Sequence, residues 1–168
     1  MFEILEKKVW LAEEPRIVEF LVKAPEIARA HHAGQFVIVI PVEGGERIPL
    51  TIADSDAKAG TISLVFQEVG ASTMLLGRLE KGQKIPHVAG PLGKPTHIEK
   101  FDGAVVCVGG GIGVAPIHPI AKAMKAAGNH VISILGARSK NLMIYEERMK
   151  LASSEIRITT DDGTYGKK

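Results

Sequence analysis

The sequence predicts two domains: a six-stranded antiparallel, Greek-key-like β-barrel at residues 1–98 and a partial parallel α/β domain at residues 99–168. Short apolar strands with short connections fill the first part, and closing them into a barrel removes exposed edges. After Gly90–Pro95 the pattern changes to strands that alternate with helices, which is typical of a parallel sheet. Little sequence follows the third strand of that sheet, so the second domain is expected to be incomplete.

Six strands are predicted in the barrel domain. Residues 2–12 and 16–23 carry alternating apolar positions and form a hairpin, with Glu13–Glu14–Pro15 as its turn. The other strands are predicted at 36–40, 48–53, 60–66 and 84–89, with short helical segments at 25–30 and 71–79. Pro49 indicates an edge or a bulge in its strand, because proline cannot donate to a ladder.

The α/β domain is predicted to begin with the aliphatic strand Ala104–Val108, whose lack of alternation is typical of a strand covered on both faces. An alanine-rich helix at 114–127 ends at Gly128. A strand at 130–135, a helix at 145–152 and a strand at 155–160 follow. We expect right-handed crossovers between these strands.

The glycine-rich turn Gly109–Gly113 joins the first of these strands to its helix. Glycines let the backbone approach a ligand closely, and the free N–H groups at a helix start favour a phosphate. The turn therefore predicts a pyrophosphate-bearing nucleotide. Val114 stands where the dinucleotide fingerprint has its third small residue, and no acidic residue follows about twenty positions later. A true NAD Rossmann unit is thus disfavoured, whereas a related nucleotide fold and a turn that binds nothing both stay open.

Two segments of the barrel domain are candidates for ligand binding. Arg47–Thr51 would offer backbone and hydroxyl groups to a planar heterocycle and an arginine to a phosphate; the alternative is an ordinary strand with an exposed arginine. Ser72 or Thr73 would cap the helix that starts near residue 71, and the same helix start would receive an anion. Capping alone explains that second segment equally well.

Composition excludes several classes of function. A net charge of +2 with interspersed signs gives no nucleic-acid patch. No apolar run is long enough to span a bilayer and no signal peptide is present, so we expect no membrane association and a cytoplasmic location. Cys107 is the only cysteine, which excludes disulfides and all-cysteine metal clusters within this chain. The adjacent His31 and His32 lack a carboxylate spaced as a third ligand, so no metal site is predicted.

The order of five motifs resembles the ferredoxin–NADP reductase superfamily. They are Gly34–Phe36, Arg47–Thr51, Gly70–Thr73, Gly90–Gly93 and Gly109–Pro116. Within the superfamily the chain is similar to the electron-transfer subunits of dihydroorotate dehydrogenase B and to the small subunit of NADH-dependent ferredoxin:NADP oxidoreductases, also described as sulfide dehydrogenase subunits. The C-terminal stretch Asp161–Gly166 resembles the same group.

The resemblance implies that residues 1–98 bind FAD and that residues 99–168 bind a nicotinamide nucleotide. By this analogy Thr51 lies near the flavin N5, and no side chain acts as an acid or base because the chemistry belongs to the cofactor. The superfamily's arginine lies three residues before the serine or threonine, where this chain has Ile48, and Arg47 lies four before. The positions that the resemblance assigns to the isoalloxazine and the FAD phosphates are Arg47, Pro49, Leu50, Thr51, Val65, Phe66, Gln67, Gly70, Ser72 and Thr73. Those it assigns to the nicotinamide nucleotide are Gly110, Gly111, Gly113, Val114, Ala115, Gly136 and Arg138.

The implied function is hydride exchange between NAD(P)H and FAD, with single electrons passing on to a larger catalytic or ferredoxin-reducing subunit or to an iron–sulfur protein. The alternative is a flavin-binding electron-transfer or accessory module without turnover of its own. Arg138 would accept a 2′-phosphate and favour NADP(H), whereas the group mostly suggests NAD(H). Members of the group carry four cysteines for a [2Fe–2S] cluster after the nucleotide domain; these cysteines are absent from this chain, which is therefore expected to be C-terminally truncated.

Overall fold

The structure is a computed structural model that describes residues 1–12 and 15–167. The predicted hairpin residues Glu13 and Glu14 lie outside the described residues. The chain divides into two compact units, Met1–Pro95 and the residues from Thr96 onward.

The first unit is an antiparallel sheet that carries two short helices. In chain order it contains β1 (Phe2–Leu11), β2 (Ile17–Lys23), α1 (Pro25–Ala30), β3 (Phe36–Ile40), β4 (Ile48–Asp56), β5 (Thr61–Gln67), α2 (Ala71–Gly77), β6 (Lys84–Ile85) and β7 (His87–Leu92). The strands are arranged in the order β6-β1-β2-β5-β4-β3-β7. Because only Pro86 separates β6 from β7 in the chain, the two edges of the sheet meet at this residue, as in a barrel.

The predicted antiparallel barrel is confirmed in outline, but the predicted number of strands is wrong: in the described residues the sheet has seven strands. The strand expected at 84–89 is divided at Pro86. Before the proline, Ile85 pairs with β1; after it, Val88 pairs with Val39 of β3. Proline lacks the N–H that a ladder needs, so it marks the point where the chain changes partners.

The core of this unit is apolar and is built from the inward faces of its strands and helices. Its members all lie between Ile4 and Val88. The Phe20 and Phe66 rings meet edge to face, with centroids 5.2 Å apart and planes inclined at 77°, which is a favoured arrangement for aromatic pairs. The inward side chains of β4 and β5 are therefore committed to the core.

Strand β4 belongs to two ladders. Its first half pairs with β3, from Ile48 opposite Val39 to Thr51 opposite Phe36. Its second half pairs with β5, and among the described residues that ladder ends where Ile52 pairs with Leu64. Beyond this pair the two strands separate, with Pro49–Thr51 on one arm and Val65–Gln67 on the other. We call this opening, defined by those six residues, the fork.

In its described residues, the second unit is a three-stranded parallel sheet with helices. It contains β8 (Ala104–Gly110), α3 (Val114–Ala126), β9 (His130–Ala137), α4 (Glu146–Ala152) and β10 (Glu155–Thr160). The strand order is β10-β9-β8 and both pairings are parallel, as the alternating pattern predicts. No helix in the described part of the chain is both long and apolar enough to cross a membrane.

One expectation for β8 is wrong. Val106 is 54% exposed and Val108 is 66% exposed, so in the described chain this strand is not covered on both faces. Both helices lie on the opposite face. The Ser153 hydroxyl at the end of α4 is 2.7 Å from the Ser133 hydroxyl, and Ile117 of α3 lies against Gly109. A purely aliphatic run does not distinguish one covered face from two.

Candidate functional site

The fork places two of the predicted ligand-binding segments opposite each other. The Ile52 N–H donates to the Gln35 carbonyl next to β3 (3.1 Å), and successive amides of a strand face opposite sides. The Thr51 N–H therefore faces the side on which β4 and β5 separate. On the other arm, the Glu68 N–H donates to the Arg16 carbonyl beside β2 (2.9 Å), so by the same alternation the Gln67 N–H faces the fork.

Side chains of the fork fall into two groups. Leu50 and Phe66 are buried and belong to the core, and Val65 is also buried. Pro49 is exposed, while Thr51 and Gln67 are half-buried. The fork therefore offers a ligand backbone groups together with the Thr51 hydroxyl and the Gln67 amide. A flat ligand with polar edges matches this set of groups.

A tight turn connects β5 to α2. The Thr73 hydroxyl accepts hydrogen bonds from the N–H groups of Val69 (3.1 Å) and Gly70 (3.0 Å) and donates to the Gly70 carbonyl (2.9 Å). Thr73 thus stabilises the turn from within. In the described structure no atom lies within 4 Å of the Cβ position of Gly70, so the turn presents open backbone at this residue.

The segment before β4 contacts the first turn of α2. The Ser72 hydroxyl donates to the Glu46 carboxylate, which brings the predicted segments at 47–51 and 70–73 together. The Arg47 guanidinium is exposed and has neither an ion-pair nor a hydrogen-bond partner among the described residues. Glu46 was not among the predicted site residues, because no motif or spacing distinguishes it from other surface carboxylates.

The glycines after β8 differ in what surrounds them. A Cβ at Gly109 would meet Ile117 Cδ1 at 2.8 Å and the Gly113 carbonyl at 3.1 Å, so Gly109 is needed for packing against α3. Gly111 has φ +53°, a conformation that other residues rarely adopt. Gly110 pairs with Gly136 across β8 and β9, and the nearest atoms to their Cβ positions are 3.9 Å away.

Gly110 and Gly136 therefore form a patch of backbone without side chains, which we call the glycine patch. It lies at the carboxyl ends of two parallel strands, which is where open α/β sheets bind ligands. Val114 and Ala115, at the start of α3, have buried side chains. The Val114 N–H is bonded to the carbonyls of Gly111 and Ile112. These two residues shape the turn, while Gly113 is open on its outer side.

Arg138 follows β9 and is exposed, with no side-chain partner in the described residues. Its carbonyl accepts a hydrogen bond from the Asp162 N–H (3.2 Å), so the loop after β10 lies beside it. The Thr160 hydroxyl at the end of β10 donates to the Tyr165 carbonyl in that loop (3.0 Å), and the Tyr165 hydroxyl donates to the Glu146 carboxylate (2.9 Å). The hydrogen-bonded ion pair with Lys150 is the main cause that holds the pKa of Glu146 below its usual value, and the hydrogen bond from Tyr165 lowers it further.

Burial shifts the pKa of two further titratable side chains, Cys107 and His31. Burial raises the pKa of the Cys107 thiol, which disfavours the reactive thiolate. Burial also lowers the pKa of His31, whose Nδ1 lies 2.8 Å from the Ser55 hydroxyl. The described residues include no group of three or more His, Cys, Asp or Glu side chains that could hold a metal ion.

Comparison with known proteins finds relatives that are named as electron-transfer proteins. No family model matches the chain. It is 42% identical over 162 residues to the dihydroorotate dehydrogenase B (NAD(+)) electron transfer subunit homolog of Thermotoga maritima, which covers 96% of this chain and 56% of the relative. It is 34% identical over 156 residues to the dihydroorotate dehydrogenase B (NAD(+)) electron transfer subunit of Geobacillus thermodenitrificans, covering 90% and 60%.

A solved structure described for flavin-based electron bifurcation, that of an NADH-dependent reduced ferredoxin-NADP oxidoreductase, matches with a TM-score of 0.91. The two are 38% identical, and the match covers 100% of this chain and 59% of that chain. The chain thus spans between 56% and 60% of the length of these three proteins.

The chain belongs to the ferredoxin reductase-like family. Its relatives within that family include electron transfer subunits of dihydroorotate dehydrogenase B. The resemblance inferred from the order of the motifs is confirmed.

Proposed function

We propose that the chain is a flavin-dependent electron-transfer module in which residues 1–98 bind FAD and residues 99–168 bind a nicotinamide nucleotide. Its reaction is hydride exchange between NAD(P)H and FAD, followed by onward transfer of electrons to a partner. The fork is the observation that carries this proposal. At the fork, backbone polar groups of β4 and β5 face away from the ladder that joins these strands, and the open turn at Gly70 lies next in the chain after β5.

The residues of the first unit fit FAD. The Thr51 N–H and hydroxyl and the Gln67 N–H would hold the polar edges of the isoalloxazine, with the Pro49–Leu50 backbone along its plane. Gly70, Ser72 and Thr73 would lie beside the pyrophosphate, because a Cβ is missing at Gly70 and no described atom fills that position. The exposed Arg47 would supply the counter-charge.

Bound FAD would supply the redox chemistry, since a flavin takes up a hydride and releases single electrons. The protein's own residues bind and orient the ring. Thr51 is the side chain assigned to the N5 edge, and its half-buried hydroxyl would limit the access of water there. No acid or base residue is required by this reaction, and none is assigned.

The second unit fits a nicotinamide nucleotide. Gly110 and Gly136 leave the carboxyl edge of the sheet free of side chains, so a phosphate or ribose would approach the backbone directly. Gly111 and Gly113 extend this surface. Arg138 would lie at the adenosine end, where its free guanidinium would favour a 2′-phosphate, whereas the two curated relatives are named for NAD(+).

The proposed partner is a larger catalytic or ferredoxin-reducing subunit, because the relatives are named electron transfer subunits. A [2Fe–2S] cluster with four cysteine ligands does not fit the residues present, since Cys107 is the single cysteine and its side chain is buried.

The test is spectroscopic. Purified chain is mixed with FAD, freed of excess flavin and titrated anaerobically with NADH and, separately, NADPH. Retained flavin whose visible absorbance is bleached by either nucleotide supports the proposal, and the ratio of the two rates gives the nucleotide preference. Retained flavin that neither nucleotide bleaches would support the accessory-module alternative. A protein that retains no flavin would contradict both.

A further inference from the structure

A carboxylate lies at the place that the proposed function assigns to phosphate. The Ser72 hydroxyl donates a hydrogen bond to Glu46, although the two residues are 26 positions apart in the chain. Ser72 belongs to the first turn of α2, and Glu46 lies just before β4. Glu46 thus holds the segment before β4 against the start of α2 through an anionic acceptor.

Ser72 carries the hydroxyl of this turn that is able to change partners. The Thr73 hydroxyl is used by three contacts with the backbone of Val69 and Gly70. Those contacts maintain the turn itself, so Thr73 cannot be released without loss of local structure. Ser72 makes its contact with a side chain from another segment, and exchanging that acceptor leaves the turn intact.

Glu46 and Arg47 have opposite effects on an anion at this position. A phosphate near Ser72 is repelled by a carboxylate on the same hydroxyl and attracted by a guanidinium. Arg47 has no partner among the described residues, so it is available as the counter-charge. Glu46 therefore opposes the binding of a phosphate at this position, and the adjacent Arg47 favours it.

We propose that Glu46 is an intramolecular competitor for the Ser72 hydroxyl, so that a phosphate-bearing flavin binds only when Ser72 exchanges the Glu46 carboxylate for phosphate. Glu46 thereby limits the affinity for FAD while having no effect on the isoalloxazine contacts at the fork. This inference rests on the proposed function, because it takes the anion to be the FAD pyrophosphate.

The test compares Glu46→Gln with the unchanged full chain, using quenching of flavin fluorescence to measure the Kd of FAD and of riboflavin, which lacks phosphate. Glutamine keeps an acceptor for Ser72 but removes the charge. We expect the Kd of FAD to fall about tenfold and the Kd of riboflavin to stay within about twofold.

The matched control is Glu43→Gln. Glu43 lies in the same loop and is 3.2 Å from His87 Nε2, so this variant removes one negative charge away from Ser72. Its Kd for FAD is expected to stay within about twofold of the unchanged chain. A fall equal to that of Glu46→Gln would show that net charge, rather than the contact with Ser72, sets the affinity, and would overturn the proposal.

A second variant ties the effect to Ser72. In a Ser72→Ala background, Glu46→Gln should lower the Kd of FAD by clearly less than in the otherwise unchanged chain, about threefold or less, because only the repulsion between the carboxylate and the phosphate is then removed. Binding of FAD that is unchanged or weakened by Glu46→Gln in the otherwise unchanged chain would overturn the role of Glu46 and leave the proposed function standing. An unchanged chain that binds neither FAD nor riboflavin would overturn both. Thermal unfolding checks that each variant folds, and Glu46→Ser replaces Glu46→Gln if the latter does not.

Discussion

Neighbouring glycines after β8 have different tasks. Gly109 has backbone and side-chain atoms of α3 and its preceding turn within 3.1 Å of its Cβ position. Gly110 meets its nearest neighbour, the Gly136 carbonyl, only at 3.9 Å. One glycine therefore serves packing, whereas the other leaves its backbone free of close neighbours.

Replacing these two glycines separates the tasks. Gly109→Ala should lower the free energy of unfolding by about 1–3 kcal/mol, because the close neighbours of its Cβ position include backbone atoms of Gly113 and Val114 that must shift. Gly110→Ala should change it by less than about 0.5 kcal/mol. If the proposed nucleotide site is right, Gly110→Ala weakens NAD(P)H binding about tenfold. Denaturant unfolding and nucleotide titration measure the two effects, and equal destabilisation by both substitutions would contradict the distinction.

His31 makes stability depend on pH. Burial is the main cause that lowers its pKa below the ordinary value of 6.5; His32 lowers it further and Asp54 opposes this. The unfolded chain therefore binds the proton more readily than the folded one. It follows that the stability contribution is present above about pH 6.5 and is lost as pH falls through the lowered pKa.

Acidification should thus destabilise the unchanged chain more than His31→Gln. The measurement is the free energy of unfolding at about pH 7.5 and about pH 5.5, a range that brackets the ordinary histidine pKa. Gln keeps a polar group for Ser55 but does not titrate. Equal losses in the two proteins would show that His31 is not responsible.

At the scale of the element, α2 is held at its C-terminal end by a lysine from β1. Lys7 Nζ donates to the Gly77 carbonyl (2.8 Å) and contacts Glu80 Oε1 (2.5 Å). Only 8% of the Lys7 side chain is exposed. A cation at this position also complements the negative end of the helix.

Lys7→Met should destabilise the chain by about 1–2 kcal/mol, since it leaves a carbonyl without its charged donor while keeping the apolar stem. Lys81→Met is the control, because Lys81 is exposed and no described residue pairs with it. Denaturant unfolding compares the two variants. A loss in Lys81→Met as large as that in Lys7→Met would contradict the capping role.

Helices and strands were predictable where a single sequence pattern was sufficient to identify them. The alternation in β1 and β2 and the alanine-rich α3 follow directly from the order of residues. Pro86 was visible in the sequence, but its role in passing the chain from one ladder to another depends on which strands lie nearby. The exposure of Val106 and Val108 was also not predictable. Both faces of this strand carry aliphatic side chains, so the sequence pattern does not show which face the helices cover.

The candidate site was predictable in its glycines and in Arg47–Thr51, since these types suit close backbone approach and anion binding. The backbone geometry of the candidate site was not predictable, because the fork depends on where the ladder between β4 and β5 ends. The Ser72–Glu46 contact depends on tertiary proximity between segments that no local pattern joins.

At the scale of the whole molecule, the core of the first unit is self-contained, because its members all lie between Ile4 and Val88. Residues 1–95 form one of the two compact units. A unit with its own core is able to fold alone.

A chain ending at Pro95 should therefore unfold cooperatively and, if the proposed function is right, still bind FAD. Its bound flavin should not be bleached by NAD(P)H, because this shorter chain lacks the proposed nucleotide site with its glycine patch of Gly110 and Gly136. The intact 168-residue chain is the comparison, and calorimetry with flavin titration gives the readout. Non-cooperative unfolding of the shorter chain would contradict the independence of the first unit.

The sharing of β4 between two ladders has a consequence for isotope exchange. Adjacent amides of the strand differ in their surroundings: the Ile52 N–H is bonded to the Gln35 carbonyl, whereas the Thr51 N–H faces the fork. Deuterium should enter at Thr51 well before Ile52, and a ligand seated at the fork should slow the first amide and leave the second unchanged. The Ile52 amide thus serves as an internal control for the Thr51 amide. Ligand binding at the fork can therefore be followed by hydrogen exchange, without any spectroscopic signal from the ligand.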